Sequence, residues 1–203
     1  MPSKAGPVAA ILLAAGESAR LGRPKQLLPF RGGTLLRHTA ETALASGCDR
    51  VFVVVGASHE RMRSELGGLD VGVVVNAEWQ EGLGASIRCG VHAMMRESGA
   101  WSGAMLLLAD QFRVAPRHLQ QMLVLFRNTD REIVAACCDG HTGPPAVLGA
   151  SLFSRLLALR GAHGARGIIG SMRDDTILFD LPEAAFDVDV DGDATRLVTD
   201  PIP

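Results

Sequence analysis

The fold of this chain is decided by residues 11–30, which read ILLAAGESARLGRPKQLLPF. An apolar, partly β-branched run from Val8 to Leu13 leads into this stretch, as expected of a buried parallel strand. The small residues Ala14, Ala15 and Gly16 end the run, and a polar, basic loop follows. A glycine-containing turn after a strand leaves backbone N–H groups able to bind an anion. The stretch therefore predicts an α/β protein with an oligophosphate site after its first strand.

Two cations strengthen this interpretation. Arg20 offers a planar fork and Lys25 a point charge, and both suit phosphate oxygens. The loop is not a Walker A motif, because Arg23-Pro24-Lys25 follows Gly22. It also lacks the Gly-x-Gly-x-x-Gly dinucleotide fingerprint. On these residues alone, the alternative is a plain strand-to-helix connection with two solvated cations.

Composition narrows the class of protein. The 203 residues suit one globular domain, residues 1–203, with 47% hydrophobic and 21% charged residues. A net charge of −2 argues against a nucleic-acid or polybasic membrane binder. No apolar run approaches membrane-spanning length, and the N-terminus lacks a signal-peptide core, so we expect a cytoplasmic protein. The four cysteines form no CxxC pair, which indicates buried thiols rather than a zinc site.

Strand-like and helix-like segments alternate along the chain, which predicts βαβ units and a three-layer α/β sandwich with a mostly parallel mixed sheet. Besides the first strand, the predicted strands are Arg50–Val55, Val71–Asn76, Ala104–Ala109 and Ile133–Cys138, then a short Ala146–Leu148 and an antiparallel Thr176–Leu181. The predicted helices are Thr34–Ala45, Ser58–Leu66, Ser86–Met95, Pro116–Arg127, Ser151–Leu159 and Gly164–Met172.

Three polar clusters fall at the ends of predicted strands. They are the loop at residues 14–25, the segment 76–88, and Asp110-Gln111. Ligands of such sheets bind beyond the carboxyl ends of the strands. We therefore expect the three clusters to face one crevice.

The carboxylates suggest a hard cation. Asp110 ends a buried strand, where it could be a Mg²⁺ ligand or simply the cap of the helix near Pro116. A second acid could come from Asp187, Asp189, Asp191 and Asp193, which share one side of an extended segment. The alternative for this run is a solvated acidic turn. A calcium-binding EF-hand is disfavoured, because Val198 stands where the bidentate Glu belongs.

Taken together, these motifs resemble the MobA-like nucleotidyltransferases, and within them the molybdenum cofactor cytidylyltransferases. The resemblance covers nearly the whole chain. It rests on the loop after the first strand, on Asn76-x-x-Trp79-x-x-Gly82-x-Gly84-x-Ser86-Ile87-Arg88-x-Gly90, on Leu107–Gln111, on Asp187-Val188-Asp189, and on Gly143–Val147 with Gly164-Ala165-Arg166.

The resemblance implies a single-domain, Rossmann-like (GT-A-like) nucleotidyltransferase with a nucleotide-binding half at about 8–115 and an acceptor-binding half at about 116–200. It implies that Arg20, Lys25 and Asp110 are catalytic and that Mg²⁺ is held by Asp110 and Asp189, with Asp187 as the other candidate. The nucleotide-binding residues it implies are Ala14, Ala15, Gly16, Arg20, Lys25, Asn76, Gly84 and Ser86. The implied reaction joins CMP from CTP to the phosphate of a molybdopterin-type acceptor, and a recipient molybdoenzyme or its chaperone is an implied partner.

Four positions depart from the family pattern, namely Phe112, Pro144, Ala162 and Val190. They bear on the acceptor and the second metal ligand. His163 could replace the acid missing at Ala162, although a surface histidine is the simpler interpretation. The alternatives are therefore a transferase that uses GTP or another NTP with a different phosphorylated acceptor, and a non-catalytic nucleotide- or cofactor-binding accessory protein.

Overall fold

The computed structural model describes residue 4 and residues 6–16, 23–97 and 99–186. Its centre is a seven-stranded sheet in the order β5-β4-β1-β6-β8-β7-β9. The strands are β1 (Val8–Ala14), β4 (Arg50–Val55), β5 (Gly72–Val75), β6 (Gly103–Leu108), β7 (Ile133–Cys138), β8 (His141–Gly149) and β9 (Thr176–Asp180). A separate two-stranded ribbon joins β2 (Pro29–Phe30) to β3 (Gly33–Thr34).

The core of the sheet is parallel and buried. β1 pairs in parallel with β4 on one side, with Ala14 opposite Val55, and with β6 on the other, with Leu13 opposite Leu108. All seven residues of β1 are buried. This explains the unbroken apolar run in the sequence, because a strand covered on both faces cannot alternate.

Two predictions about the last strands are wrong. The segment expected as a short strand at Ala146–Leu148 belongs to the nine-residue β8, which runs antiparallel to both β6 and β7. The final strand, β9, pairs in parallel with β7 rather than antiparallel. Strand direction depends on which strand becomes the neighbour, and the local sequence does not specify that choice.

Six helices cover the two faces of the sheet in the described residues. They are α1 (Leu35–Leu44), α2 (His59–Glu65), α3 (Leu83–Arg96), α4 (Pro116–Arg127), α5 (Phe153–Leu157) and α6 (Arg166–Ser171). One core cluster joins alternate residues of β1 to α1, α2 and α4. The other residues of β1 join a second cluster with α3, α5 and α6. The predicted three-layer α/β sandwich with a mostly parallel mixed sheet is confirmed.

Two tight turns between antiparallel strands contain residues with positive φ. Arg31 and Gly32 both have positive φ and form the two-residue turn between β2 and β3, a ribbon that the sequence analysis missed. Asp139 and Gly140 do the same between β7 and β8. Within the described residues, no helix is both long and apolar enough to cross a bilayer.

Candidate active site

The turn after β1 lies at the carboxyl edge of the sheet, where the sequence placed it. Ala14 and Ala15 are buried, and Gly16 is exposed. Gln26, also buried, donates a hydrogen bond from Nε2 to the carbonyl oxygen of Gly16 at 3.0 Å. This contact holds the residues that follow β1 against the short 3₁₀ helix at Lys25–Leu27.

Lys25 reaches the end of β6. Its Nζ lies 2.5 Å from Oδ2 of Asp110, and the two side chains are only 18% and 14% exposed. The first and third polar clusters of the sequence therefore meet in space. A partly buried cation beside a carboxylate gives this edge both a phosphate-binding group and a hard oxygen ligand.

The second cluster borders the same turn through Trp79. A Cβ on Gly56, which follows β4, would lie 2.4 Å from the carbonyl oxygen of Ala15 and 2.9 Å from Cβ of Trp79. The chain after β4 thus passes closely between the β1 turn and Trp79, and only glycine fits there. We name residues 76–86 the nucleotide loop, after the role that the resemblance implies.

Hydrogen bonds order the nucleotide loop from within. Asn76 is buried, and its Nδ2 donates to Oγ of Ser86 at 3.1 Å. The Oδ1 of Asn76 accepts from the backbone N–H of Glu78 at 2.9 Å. Asn76 and Ser86 therefore stabilise the conformation of the nucleotide loop. Their predicted contacts with a nucleotide stay predictions.

Gly84 lies within α3, which begins at Leu83 rather than at the predicted Ser86. Its N–H donates to the carbonyl oxygen of Gly161 at 2.9 Å, and a Cβ on Gly84 would meet the backbone of residues 160 and 161 at about 3 Å. We name residues 159–164 the covering loop. Close packing against residues 160 and 161 explains why position 84 is a glycine. Its contact with the base and ribose stays a prediction.

Arg88 joins the two loops. It forms a bidentate pair with Glu81, at 2.9 and 2.6 Å, and Nη1 also donates to the carbonyl oxygen of Leu159 at 2.5 Å. The hydrogen bond from Arg88, aided by its charge and by the backbone of Gly161, lowers the pKa of the Glu81 carboxyl to about 2. This pair stays charged at every physiological pH.

A cleft of about 330 Å³ opens beyond Asp110, between the ends of β6 and β7 and the start of β8. Its lining includes Gln111, Thr142, Gly143, Pro144, Arg166 and Ala184. Gln111 is buried, and its Nε2 donates to the carbonyl oxygens of Pro144 and Ala184, both at 2.8 Å. The amide thereby ties the end of β6 to β8 and to residues 182–185.

Gln111 also bears on metal binding. Its Oε1 is buried and accepts no hydrogen bond within the described residues. Together with the Asp110 carboxylate, this gives two hard oxygen atoms on adjacent residues, a donor type that fits Mg²⁺. No group of three or more His, Cys, Asp or Glu side chains suited to a metal occurs in the described ranges. Further ligands would have to come from the nucleotide, from water or from elsewhere in the chain.

Several predicted residues lie outside the described part of the chain. They are Arg20, Asp187, Asp189 and Val190. Of the other departures from the family pattern, Phe112 is buried edge-to-face against Phe30, with ring centroids 5.6 Å apart. Pro144 lines the cleft, while Ala162 lies against Gly82 and is exposed, as is His163.

The sequence that forms this edge of the sheet matches a known protein family. The profile of the MobA-like NTP transferase domain matches residues 10–176. The chain belongs to this family. The predicted resemblance to the MobA-like nucleotidyltransferases is therefore confirmed at the level of the family.

Individual relatives support the assignment. Rv0371c from Mycobacterium tuberculosis H37Rv has a solved structure that superposes with a TM-score of 0.80, at 30% identity, covering 97% of this chain and 100% of that one. The molybdenum cofactor cytidylyltransferase of Escherichia coli K12 is 32% identical over 91 residues, 43% of this chain and 45% of the relative. Nicotine blue oxidoreductase of Paenarthrobacter nicotinovorans is 44% identical over 84 residues, and the match spans only 41% of either chain.

Sequence reasoning overlooked Gln26, Gly56 and the roles of Gln111 and Arg88. Gln26, Gln111 and Arg88 lie within the motifs, whereas Gly56 follows β4, away from them. In all four cases the side chain, or its absence, serves a contact between segments distant in the chain. A glycine directly after a predicted strand, as at position 56, was the available signal of a close backbone approach.

Proposed function

We propose that this protein transfers CMP from CTP to the terminal phosphate of a molybdopterin carrying molybdenum. The observation that supports the proposal is the Lys25–Asp110 contact beside the β1 turn, because a positively charged side chain and a carboxylate, which suit phosphate and Mg²⁺, lie side by side there. Ala14-Ala15-Gly16, which resembles the cytidylyl version of the motif, supports the choice of base. The E. coli cytidylyltransferase supports both base and acceptor.

The chemistry requires no nucleophilic side chain. A phosphate oxygen of the acceptor attacks the α-phosphorus of CTP, the bond from that phosphorus to the β-phosphate oxygen breaks, and pyrophosphate leaves. Because the attacking oxygen is already anionic, alignment and charge neutralisation supply the catalysis. Lys25 would bind the triphosphate, Arg20 would assist it, and the nucleotide loop would orient the nucleoside.

A divalent cation belongs to the proposal. Asp110 would hold it, with Asp189 or Asp187 as the second carboxylate. When bound, Mg²⁺ would neutralise charge on the phosphates of the nucleotide. A structure of Rv0371c, 27% identical to this chain over 96% of its length, is of a complex with manganese, which supports a divalent ion here.

Binding and turnover test the proposal separately. Titrations with CTP, GTP and ATP in MgCl₂ should show tightest binding of CTP, and a preference for another base would reject the cytidylyl assignment. Pyrophosphate release with molybdenum cofactor and CTP distinguishes an enzyme from a non-catalytic accessory protein. A transferase that acts on another phosphorylated acceptor would bind the nucleotide and leave molybdopterin unchanged.

Asp110→Asn tests the metal role. We expect this variant to lose at least about 100-fold in turnover, since the metal supplies several kcal/mol of charge stabilisation. Asp70→Asn is the matched control, because Asp70 is an exposed carboxylate paired with Arg50 and lies outside the candidate site. Full turnover in Asp110→Asn would remove Asp110 from the metal site.

A second candidate function is redox chemistry, favoured by the 44% identity to nicotine blue oxidoreductase over 84 residues. The β1 turn could hold the pyrophosphate of a dinucleotide as well as a triphosphate. Mixing the protein with NADH or NADPH and an electron-accepting dye decides this. Substrate-dependent oxidation of the dinucleotide, without pyrophosphate release from CTP, would favour the oxidoreductase.

A further inference from the structure

Arg88 is a charged residue that is mostly buried between two loops. Its side chain is 13% exposed although it is charged, and it contacts two segments at once. It holds Glu81 with both arms of its guanidinium and donates to the carbonyl oxygen of Leu159, 71 residues away in the chain. Its Nη2 also lies 3.5 Å from Oε2 of Glu78. Arg88 thus connects the nucleotide loop to the covering loop.

Glycines bring the two loops into backbone contact around this arginine. A Cβ on Gly82, where φ is +113°, would lie 2.9 Å from the carbonyl oxygen of Gly161. A Cβ on Gly164 would lie 2.6 Å from Cδ2 of Leu83. With the hydrogen bond from Gly84 to Gly161, these contacts leave no space for a side chain at positions 82, 84 and 164. The fit of the loops is therefore specific, and Arg88 adds a charged side-chain hydrogen bond to the backbone contacts between them.

The two loops lead to different parts of the active site. The nucleotide loop carries Asn76 and Ser86, whose hydrogen bond orders that loop. The covering loop leads directly into α6, and Arg166 at the start of α6 lines the cleft beyond Asp110. A contact between the loops therefore links the two halves of the predicted site.

We propose that Arg88 is a positioning residue that docks the covering loop on the nucleotide loop, and that nucleotide binds to the docked arrangement. This rests on the proposed nucleotide-binding function and extends it to a residue that touches no reacting atom. The guanidinium fork is required, because lysine carries one charged group and cannot hold a carboxylate with two parallel bonds while reaching a carbonyl.

The test compares Arg88→Gln and Arg88→Lys with Arg50→Gln. Arg50 is a suitable control, because it also pairs with two carboxylates, Asp70 and Glu97, and lies away from the candidate site. Titration calorimetry measures the Kd for CTP in MgCl₂, and NMR hydrogen exchange follows the amide of Gly84. Both Arg88 variants should raise the Kd about tenfold or more, as expected for the loss of charge-assisted hydrogen bonds, and should speed exchange at Gly84. Arg50→Gln should change neither quantity.

The outcomes separate this proposal from the proposed function. Faster exchange at Gly84 with CTP affinity within twofold of wild type would mean that docking does not serve binding, and the proposal would be overturned. Unchanged exchange would overturn the docking role itself. If the wild type prefers GTP or ATP, the same comparison is made with that nucleotide. If the wild type binds no nucleotide, the proposed function fails together with the binding role of Arg88, and the Gly84 amide still decides docking. Should Arg88→Gln fold poorly, Arg88→Lys alone provides the comparison, because it keeps the charge and loses the guanidinium fork.

Discussion

Lys25 and Asp110 are 85 residues apart in the chain, and their side chains meet at 2.5 Å. The motif around each residue was visible in the sequence, but the contact required the parallel pairing of β1 with β6. That pairing brings the two strand ends to the same edge of the sheet. This contact is the basis of the proposed role of Lys25 in phosphate binding.

We predict that Lys25→Ala weakens CTP binding by ~1.5–3 kcal/mol, the usual range for a hydrogen bond to a charged group. Isothermal titration in MgCl₂ measures this. Lys4→Ala is the control, because Lys4 contacts Glu132 and the carbonyl of Arg131, away from the candidate site. An unchanged affinity in Lys25→Ala would exclude Lys25 from the nucleotide site.

The packing of α3 on the sheet depends on Gly90. A Cβ at this position would lie 2.4 Å from Cγ2 of Ile11 and 3.0 Å from Cγ2 of Val54. The helix therefore approaches β1 and β4 more closely than any other residue would permit. The first residues of α3 are also the last residues of the nucleotide loop. The close packing of α3 on β1 and β4 therefore also fixes the position of that loop relative to the sheet.

We predict that Gly90→Ala destabilises the protein by about 1–3 kcal/mol, because the methyl group overpacks the interface between α3 and the sheet. Gly170→Ala in α6 is the matched control. Nothing lies within 4 Å of its Cβ position, so alanine should stabilise by about 0.5–1 kcal/mol through helix propensity. Urea unfolding measures both changes. Equal stability of the two variants would show that α3 can shift away from β1.

Sequence predicted the elements well where a local pattern determines them. β4, β7 and α4 match their predicted bounds, since apolar runs and a proline at the helix start define them. The direction of β9 and the length of β8 were wrong, because both depend on pairing between distant strands. The start of α3 was also missed. Gly84 reads as a loop residue, and only its contact with Gly161 explains a glycine inside the helix.

In the candidate site, too, local sequence features could be predicted and contacts between distant segments could not. Residue type and position alone singled out the β1 turn, Lys25 and Asp110 as candidates, and their roles stay predictions. The tie from Gln111 to Pro144 and Ala184, and the contacts of Arg88 with the covering loop, could not be predicted. Both join segments whose proximity arises only when the three layers assemble.

At the scale of the whole molecule, the ionisation of one half-buried thiol, Cys48 in the loop between α1 and β4, is linked to folding. Burial raises the pKa of Cys48 from an ordinary value of 9.0 to about 11. Between these values the unfolded chain loses the thiol proton and the folded protein keeps it. The contribution of Cys48 to stability is therefore complete below pH 9 and is lost as the pH rises towards 11.

We predict that the free energy of unfolding of the wild type falls by about 2–3 kcal/mol more than that of Cys48→Ala between pH 8 and pH 11. The chain contains no tyrosine, which removes one other group that titrates in this range. Urea unfolding of both proteins at several pH values gives the difference. Parallel stability curves would show that the Cys48 thiol ionises as readily in the folded protein as in the unfolded chain.

The antiparallel direction of β8 has a consequence for where the chain can accept insertions. Its first residues, with the turn at Asp139 and Gly140, lie at the mouth of the cleft, where the neighbouring strands end. A tight turn with both residues at positive φ tolerates replacement by a longer loop, because its residues are outside the core. An insertion there would extend over the cleft and leave the seven-stranded sheet and the β1 turn untouched. In the proposed transferase, such an insertion would change the surface next to the cleft while the β1 turn, the expected nucleotide site, stays the same.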